Sequence, residues 1–379
     1  MEKSKVIILP CTAYEEENIY RQIKKGLELL GGLSSLIGKE EKILLKPNLL
    51  KQAEVERAVI THPVVVGAFA RLLREEGYER IVLSDSCGHG TVERIIRGTG
   101  MDDYLRDYDI PAIEFSQGEV CPYPQGTQAK EFVLPKELLE ADCVISLSKM
   151  KTHALERLTG AVKNSYGFVY GRNKAMGHVK YPSADSFARM LVDLNRMVGP
   201  RLYLMDGIVA MEGNGPGSGD PVAMNVMLLS RDPVALDGVF ARLVHVDPYL
   251  IPTNYHGEKM GLGTCREEEI CLLLPDGGEI SMEEAVKTYG NPGFQVDRQV
   301  HRRNIWSRMA SALKLFQKKP YILADRCIRC GICVKSCPVP EKAVDFRKGR
   351  DQPPVYDYKR CIRCFCCQEM CPQKAIKVK

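Results

Sequence analysis

No apolar run in this 379-residue sequence approaches the roughly 20 residues that a membrane-crossing helix requires. The apolar stretch near the N-terminus, Val6-Ile-Ile-Leu9, is too short for a secretory leader and reads as a first β-strand, so a cytoplasmic chain is expected. Histidine is scarce: there are 7, and none follows His301. That absence argues against mixed cysteine–histidine zinc centres in the last part of the chain. The glycine-rich run Glu212-Gly-Asn-Gly-Pro-Gly-Ser-Gly-Asp220 has neither the G-x-G-x-x-G order nor a Walker lysine, which excludes the two named nucleotide-binding loops. A large charge of one sign is missing too. The formal net charge is +5, too slight an excess to argue for a nucleic-acid partner.

Cysteine is what the sequence has in quantity. Of 15, nine fall between 327 and 371 in repeated short spacings, and with no leader toward an oxidising compartment they read as metal ligands, not disulfides. The other six, Cys11, Cys87, Cys121, Cys143, Cys265 and Cys271, are scattered singly and are expected to be small buried hydrophobes. Two runs repeat the pattern C-x2-C-x2-C-x3-C-P, at 327–338 and at 361–372. In such runs the first three thiols wrap one iron–sulfur cubane and the fourth reaches across to the other. One cluster should take Cys327, Cys330, Cys333 and Cys371, and the other Cys361, Cys364, Cys367 and Cys337. Cys366 is left over and is expected to pack beside its cluster. Over residues 321–379 the pattern resembles the bacterial two-cluster ferredoxin domain, which implies two [4Fe-4S] clusters. The same segment holds thirteen Lys or Arg against six Asp or Glu, an excess that offsets the anionic clusters.

The body, residues 1–296, alternates strand-like and helix-like segments. Short apolar runs at 5–9, 42–46, 80–84, 143–147, 202–206 and 226–230 read as buried strands of a largely parallel sheet. Between them, Glu16–Leu30 carries one apolar stripe, a second helix opens at Thr61 with Pro63 in its first turn, and a third opens at Ser183. Ser281-Met-Glu-Glu284 has capping-box spacing. The expected fold is α/β with helices on both faces of the sheet, followed by a small α+β two-cluster ferredoxin domain at 321–379.

In open α/β sheets ligands bind off the carboxyl ends of the strands. Polar residues collect at five such ends here: Lys46-Pro-Asn48, Ser84-Asp85-Ser86, Ser148-Lys149-Met-Lys151-Thr-His153, Asp206 with the 212–220 run, and Ser230-Arg-Asp232-Pro233. Lys163 and Asn164 fall between the third and fourth strands. Five such ends at one rim suggest a site. Several lysines together suit a small anionic substrate, or lower one another's pKa. The expected catalytic residues are Lys151, His153 and Lys163. The expected substrate-binding residues are Lys46, Asn48, Asp85, Lys149, Asn164, Asp206, Glu212, Gly213 and Gly215, the glycines letting backbone N–H groups approach an anion. His178 is a further candidate for acid–base or metal-ligand work.

The ordered set Lys-Pro-Asn (46–48), Thr-His-Pro (61–63), Ser-Asp-Ser (84–86), Lys-Met-Lys-Thr-His (149–153), Thr-Gly-Ala-Val-Lys-Asn (159–164), Glu-Gly-Asn-Gly-Pro (212–216) and Asp-Pro-Val-Ala-Leu-Asp (232–237) resembles the family catalogued as domain of unknown function 362. The resemblance covers about residues 40–245, implies an attached ferredoxin module, and implies no agreed reaction. Residues 297–320 form a basic amphipathic stretch, read as a connecting helix in preference to a surface for an acidic membrane. The leading expectation is an electron-transfer protein with a redox partner protein. A ferredoxin-fused reductase acting at the rim is the alternative, so an oxidoreductase activity is left open. A non-redox anion-binding or scaffold protein with structural clusters is the third reading.

Overall fold

The computed structural model describes residues 3–299 and 318–379. The connecting helix expected over 297–320 therefore lies, across 300–317, outside the described residues.

The strands of the body are β1 (Ser4–Pro10), β2 (Ile43–Pro47), β3 (Ile81–Leu83), β4 (Gly118–Pro122), β5 (Glu131–Pro135), β6 (Cys143–His153), β7 (Arg157–Thr159), β8 (Leu202–Glu212), β9 (Asp220–Ser230) and β10 (Ile270–Leu273). The main sheet runs β10-β1-β9-β8-β6-β2-β3, with β7 paired to β6 and β4-β5 standing apart as a hairpin. The β1/β10, β8/β6, β6/β2 and β2/β3 pairs are parallel. Strand β9 runs antiparallel to both β1 and β8. The expected largely parallel α/β sheet is what forms, with one reversed strand in its middle.

That reversal corrects the rim. Ser230-Arg231-Asp232-Pro233 follows the carboxyl end of β9, which lies opposite the carboxyl ends of the parallel strands. There Asp232 caps the next helix by accepting from the N–H groups of Val234 and Ala235, and its other oxygen accepts from Ser4 Oγ at 2.7 Å. A second difference concerns length. The apolar signal stops at Leu147 and at Asp206, but β6 continues to His153 and β8 to Glu212. The polar residues of Lys-Met-Lys-Thr-His are thus strand residues in a fully buried stretch, where they must find partners.

Helices cover both faces, as patterning predicts. On one, α1 (Glu16–Leu29), α2 (Pro63–Glu75), α3 (Val92–Gly98) and α4 (Met101–Asp107) close a core that includes Ile23, Phe69, Leu45 and Leu147. The helix expected to open at Thr61 is α2, with His62 as its N-cap and Pro63 at its first position. After α5 (Lys136–Leu139), the other face takes α6 (Ala161–Asn164), α7 (Asn173–Lys180), α8 (Ala184–Val198), α9 (Pro233–Leu243), α10 (Pro252–Lys259) and α11 (Met282–Tyr289). Ser183 caps α8 in a capping box with Ser186, and Ser281 caps α11 through the N–H of Glu284.

The C-terminal module is small: β11 (Pro320–Ile322) pairs with β14 (Ile376–Val378), and β12 (Val344–Asp345) with β13 (Val355–Tyr356). Two short helices, Ile332–Lys335 and Cys366–Met370, follow the cysteine loops. Among the described residues no helix is long and apolar enough to cross a membrane.

Candidate functional site: two thiol cages and a cavity between the modules

The two cysteine runs fold as near copies. Arg329 and Arg363 take left-handed backbone angles, and so do Gly331 and Phe365, each pair thirty-four positions apart. These turns aim the thiols inward. One cage is lined by Cys327, Cys330, Cys333 and Cys371, and the other by Cys337, Cys361, Cys364 and Cys367. The exchange of one cysteine between the runs is the arrangement the spacing implies. Among the described residues neither cage wall carries a histidine or carboxylate, and most of the remaining lining is apolar, such as Ile322, Val344 and Ala375. Among the described residues no three His, Cys, Asp or Glu side chains meet closely enough to hold a single ion. Each set of four thiols instead encloses a space, the donor set and shape a 4Fe-4S cube requires.

Cys366 faces elsewhere. Its counterpart in the first run is Ile332, an apolar position outside the thiol set, and Cys366 lines neither cage. It lies instead on the wall of a cavity of about 650 Å3 between the module and the body. Cys337, a member of the second cage, is on that wall too.

The helix Cys366–Met370 sits against the body at the carboxyl ends of its parallel strands. His153, the last residue of β6, accepts the N–H groups of Leu155 and Glu156 at Nδ1, so the proton is on Nε2, which lies 3.1 Å from Glu369 Oε1. Burial works against ionising Glu369, yet the His153 ring beside it, and after it the charge of Lys163, hold its carboxyl well below the usual carboxylate range. Lys51 Nζ donates to the Glu369 carbonyl at 2.7 Å. Gln368 Nε2 donates to the carbonyls of Asn214 and Gly215, and Asn214 donates to that of Ile376. Lys374 pairs with Asp220 at 2.8 Å. The glycine run therefore spends its close-approach capacity on the C-terminal module: a Cβ on Gly217 would stand 2.6 Å from the Glu369 carbonyl oxygen. Glu212 and Gly213 face another segment, bonding the backbone of Gln295.

The candidate lysines divide between the two faces of the sheet, because successive strand residues alternate. Lys149 and Lys151 share the Leu147 face. Lys149 forms a fully buried pair with Asp206 at 2.6 Å and also donates to the Tyr14 hydroxyl. Among the described residues Lys151 has no carboxylate partner: it donates to Asn48 Oδ1 at 2.7 Å and the Val59 carbonyl at 2.8 Å. Burial first, then the charges of Lys163 and Lys149, push its pKa well below that of an ordinary lysine. Lys46 lies on the opposite face, paired with Asp85 at 2.9 Å and bonded to Asn164 Oδ1. Asn48 joins the two groups, since it accepts from Lys151 and also lines the cavity.

The cavity thus gathers Lys46, Asn48, Asp85, Lys163 and Asn164 of the expected set, and leaves Lys149, Lys151, His153, Asp206, Glu212, Gly213 and Gly215 off its wall. It adds residues that sequence reasoning passed over. Neither Tyr166 nor Glu369, which stands between Cys367 and Cys371, carried a spacing signal. Asp237 lay in a quoted motif without a role. It accepts the N–H groups of Ala161 and Val162 and so fixes the short helix bearing Lys163, while burial pushes its carboxyl up to about 7. Of the single cysteines, Cys11, Cys143 and Cys265 are buried as expected, whereas Cys87 is half-buried on the cavity wall.

Comparison with known proteins bears on this arrangement directly. Residues 43–242 match the family described as Domain of unknown function (DUF362). The chain belongs to the DUF362 family. Residues 319–372 match a 4Fe-4S dicluster domain, so the C-terminal module is a ferredoxin-like, 4Fe-4S-binding one. This DUF362 protein is 36% identical over 264 residues to the thylakoid-associated protein sll1697 of Synechocystis sp., a span of 69% of this chain and 81% of that one. Among solved structures, the lactate racemase apoprotein of Thermoanaerobacterium thermosaccharolyticum superposes with a TM-score of 0.44 at 11% identity, over 64% of this chain and 57% of the racemase. A Thermotoga maritima protein superposes with a TM-score of 0.31 at 13% identity, over 66% of this chain and 59% of that one.

Proposed function

We propose that this DUF362 protein is a two-cluster iron–sulfur electron-transfer protein working as a reductase, with the cavity between its modules as the place where electrons are used. The observation that carries this reading is the position of Cys337, which belongs to the wall of the second cage and to the wall of the cavity. When bound, the two [4Fe-4S] clusters supply one electron each at low potential. The chain's own residues give the path a direction. At the first cage Cys330 is exposed and Ile328 is 58% exposed, so a redox partner protein can approach that end. The second cage is closed off: Cys361, Cys364 and Cys367 are all buried. Asp85, already bound to Lys46 and the Leu49 N–H, holds one wall of the cavity rigid. Among the described residues, six lysine or arginine side chains against two carboxylates on the wall favour a small anionic substrate or cofactor.

Lys342 offers a test. Its ammonium donates to the Cys337 carbonyl and lines the cavity. A positive charge there stabilises the reduced, more negative cluster, so Lys342→Met is expected to lower the potential of one centre by roughly a few tens of millivolts and leave the other unchanged. The measurement is an anaerobic poised-potential titration followed by electron paramagnetic resonance. Centres that cannot be reduced would mean structural clusters, and equal shifts in both would remove the second cage from the cavity.

A further inference from the structure

Polar groups on the cavity wall are mostly committed to one another. Lys46 is paired with Asp85, Glu369 with His153, and Asn164 bonds Lys46 and Ser146. Lys163 and His178, on the body side of that wall, are not. Lys163 makes no hydrogen bond or ion pair among the described residues. Its ammonium lies 5.0 Å from the Tyr166 ring centre and 5.7 Å from that of Phe187. The carboxylate acting on it most strongly is Glu369, which His153 already holds. His178, 6% exposed, has a buried Nδ1 with no partner. Burial pushes its imidazole down to about 3, so it is neutral and presents one N–H donor.

The two groups are set by the same aromatic platform. The His178 ring stacks on Phe187 at 4.5 Å with 11° between the planes, and Tyr166 meets it edge-on at 5.5 Å. Phe187 is fully buried at the start of α8, so the platform is fixed by the core. An ammonium and a neutral imidazole left unpaired at nine-tenths burial or in a cavity cost stability unless something else completes them. What completes both is an oxygen anion: a full charge for Lys163 and an acceptor for the imidazole N–H. A cavity of about 650 Å3 leaves room for an attached organic body beside Cys366 and Cys337.

We infer that Lys163 and His178 form the anchoring subsite for the oxyanion of a small organic ligand, a carboxylate or a phosphate ester, whose remaining part lies against Cys366 and the second thiol cage. The inference rests on the reading that this cavity is where electrons are used. Its test does not, because binding is measured without electron flow.

The experiment is isothermal titration of the anaerobically prepared, cluster-loaded full chain with two probes, benzoate and inorganic phosphate. At least one is expected to bind, and the one that does tells a carboxylate ligand from a phosphate. Lys163→Met should weaken it about tenfold or more, Lys163→Arg should recover most of that loss, and His178→Phe should weaken it by about threefold to tenfold. Lys348→Met, on the exposed surface of the C-terminal module away from the cavity wall, should change it less than about twofold. Unaltered cluster absorbance in every variant shows that the modules are intact. Failure of both probes to bind, unchanged binding in Lys163→Met, or equal losses in the Lys163 and Lys348 variants would overturn the subsite. A chain that binds a probe as expected but holds no reducible centre would keep the subsite and remove the reductase reading.

Discussion

Cys366 shows how far one position can be reasoned. Counting alone marks it as the surplus thiol among five, because the C-x2-C-x2-C-x3-C frame already places Cys361, Cys364, Cys367 and Cys371. Counting does not say where the surplus points. The structure turns it onto the cavity wall, at the place where the first run has Ile332. Cys366→Ser should therefore retain about eight irons per chain, while Cys367→Ser opens the second cage and loses or converts one cube. Iron and sulfide analysis of the two variants checks this. Equal loss in both would mean that Cys366 is a ligand. Lys151 teaches the complementary lesson. Several lysines at one rim suggest an anion site or mutually lowered pKa values, and for Lys151 burial is the larger cause, ahead of Lys163 and Lys149. Lys151 nevertheless stands behind Asn48 rather than on the wall, so any effect it has on a ligand passes through that side chain.

At the scale of elements, the helix Cys366–Met370 is the part that joins the two modules. It fills the crevice off the carboxyl ends of the parallel strands, where an open α/β sheet would otherwise receive a ligand. His153→Ala would leave the buried Glu369 carboxylate without the imidazole that faces it, at a cost of about 1–3 kcal/mol to the docked state. The expected outcome is faster hydrogen exchange at the Gln368–Cys371 amides, with the β1 and β8 amides unaffected, read by mass spectrometry. Uniform protection in the variant would show that the contact contributes nothing to docking. The strands and helices of the body were largely legible because apolar runs and caps are local signals: Ser183 and Ser281 cap where their spacing says. The direction of β9 was not, since Val226–Ser230 reads the same whichever way it pairs, and that reversal moved Asp232 to the far rim. Nor was the end of β6, because the buried Lys149, Lys151 and His153 look like loop residues until their partners, Asp206, Asn48 and Glu369, are brought in from distant parts of the chain. The candidate site was legible to the same degree. Lys46, Asp85, Lys163 and Asn164 were visible as motif residues, while the wall supplied by the C-terminal module depends on docking that no local pattern encodes.

The whole molecule gives its two thiol cages different surroundings. One thiol cage opens at the surface through Cys330 and Ile328, and the other is closed and abuts the cavity through Cys337. The most direct test is electron paramagnetic resonance of the anaerobically loaded, dithionite-reduced protein, recorded with and without a soluble paramagnetic relaxing agent. Two reduced centres are expected, of which the agent speeds the relaxation of one and spares the other. No reduced centre, or two centres affected alike, would contradict it.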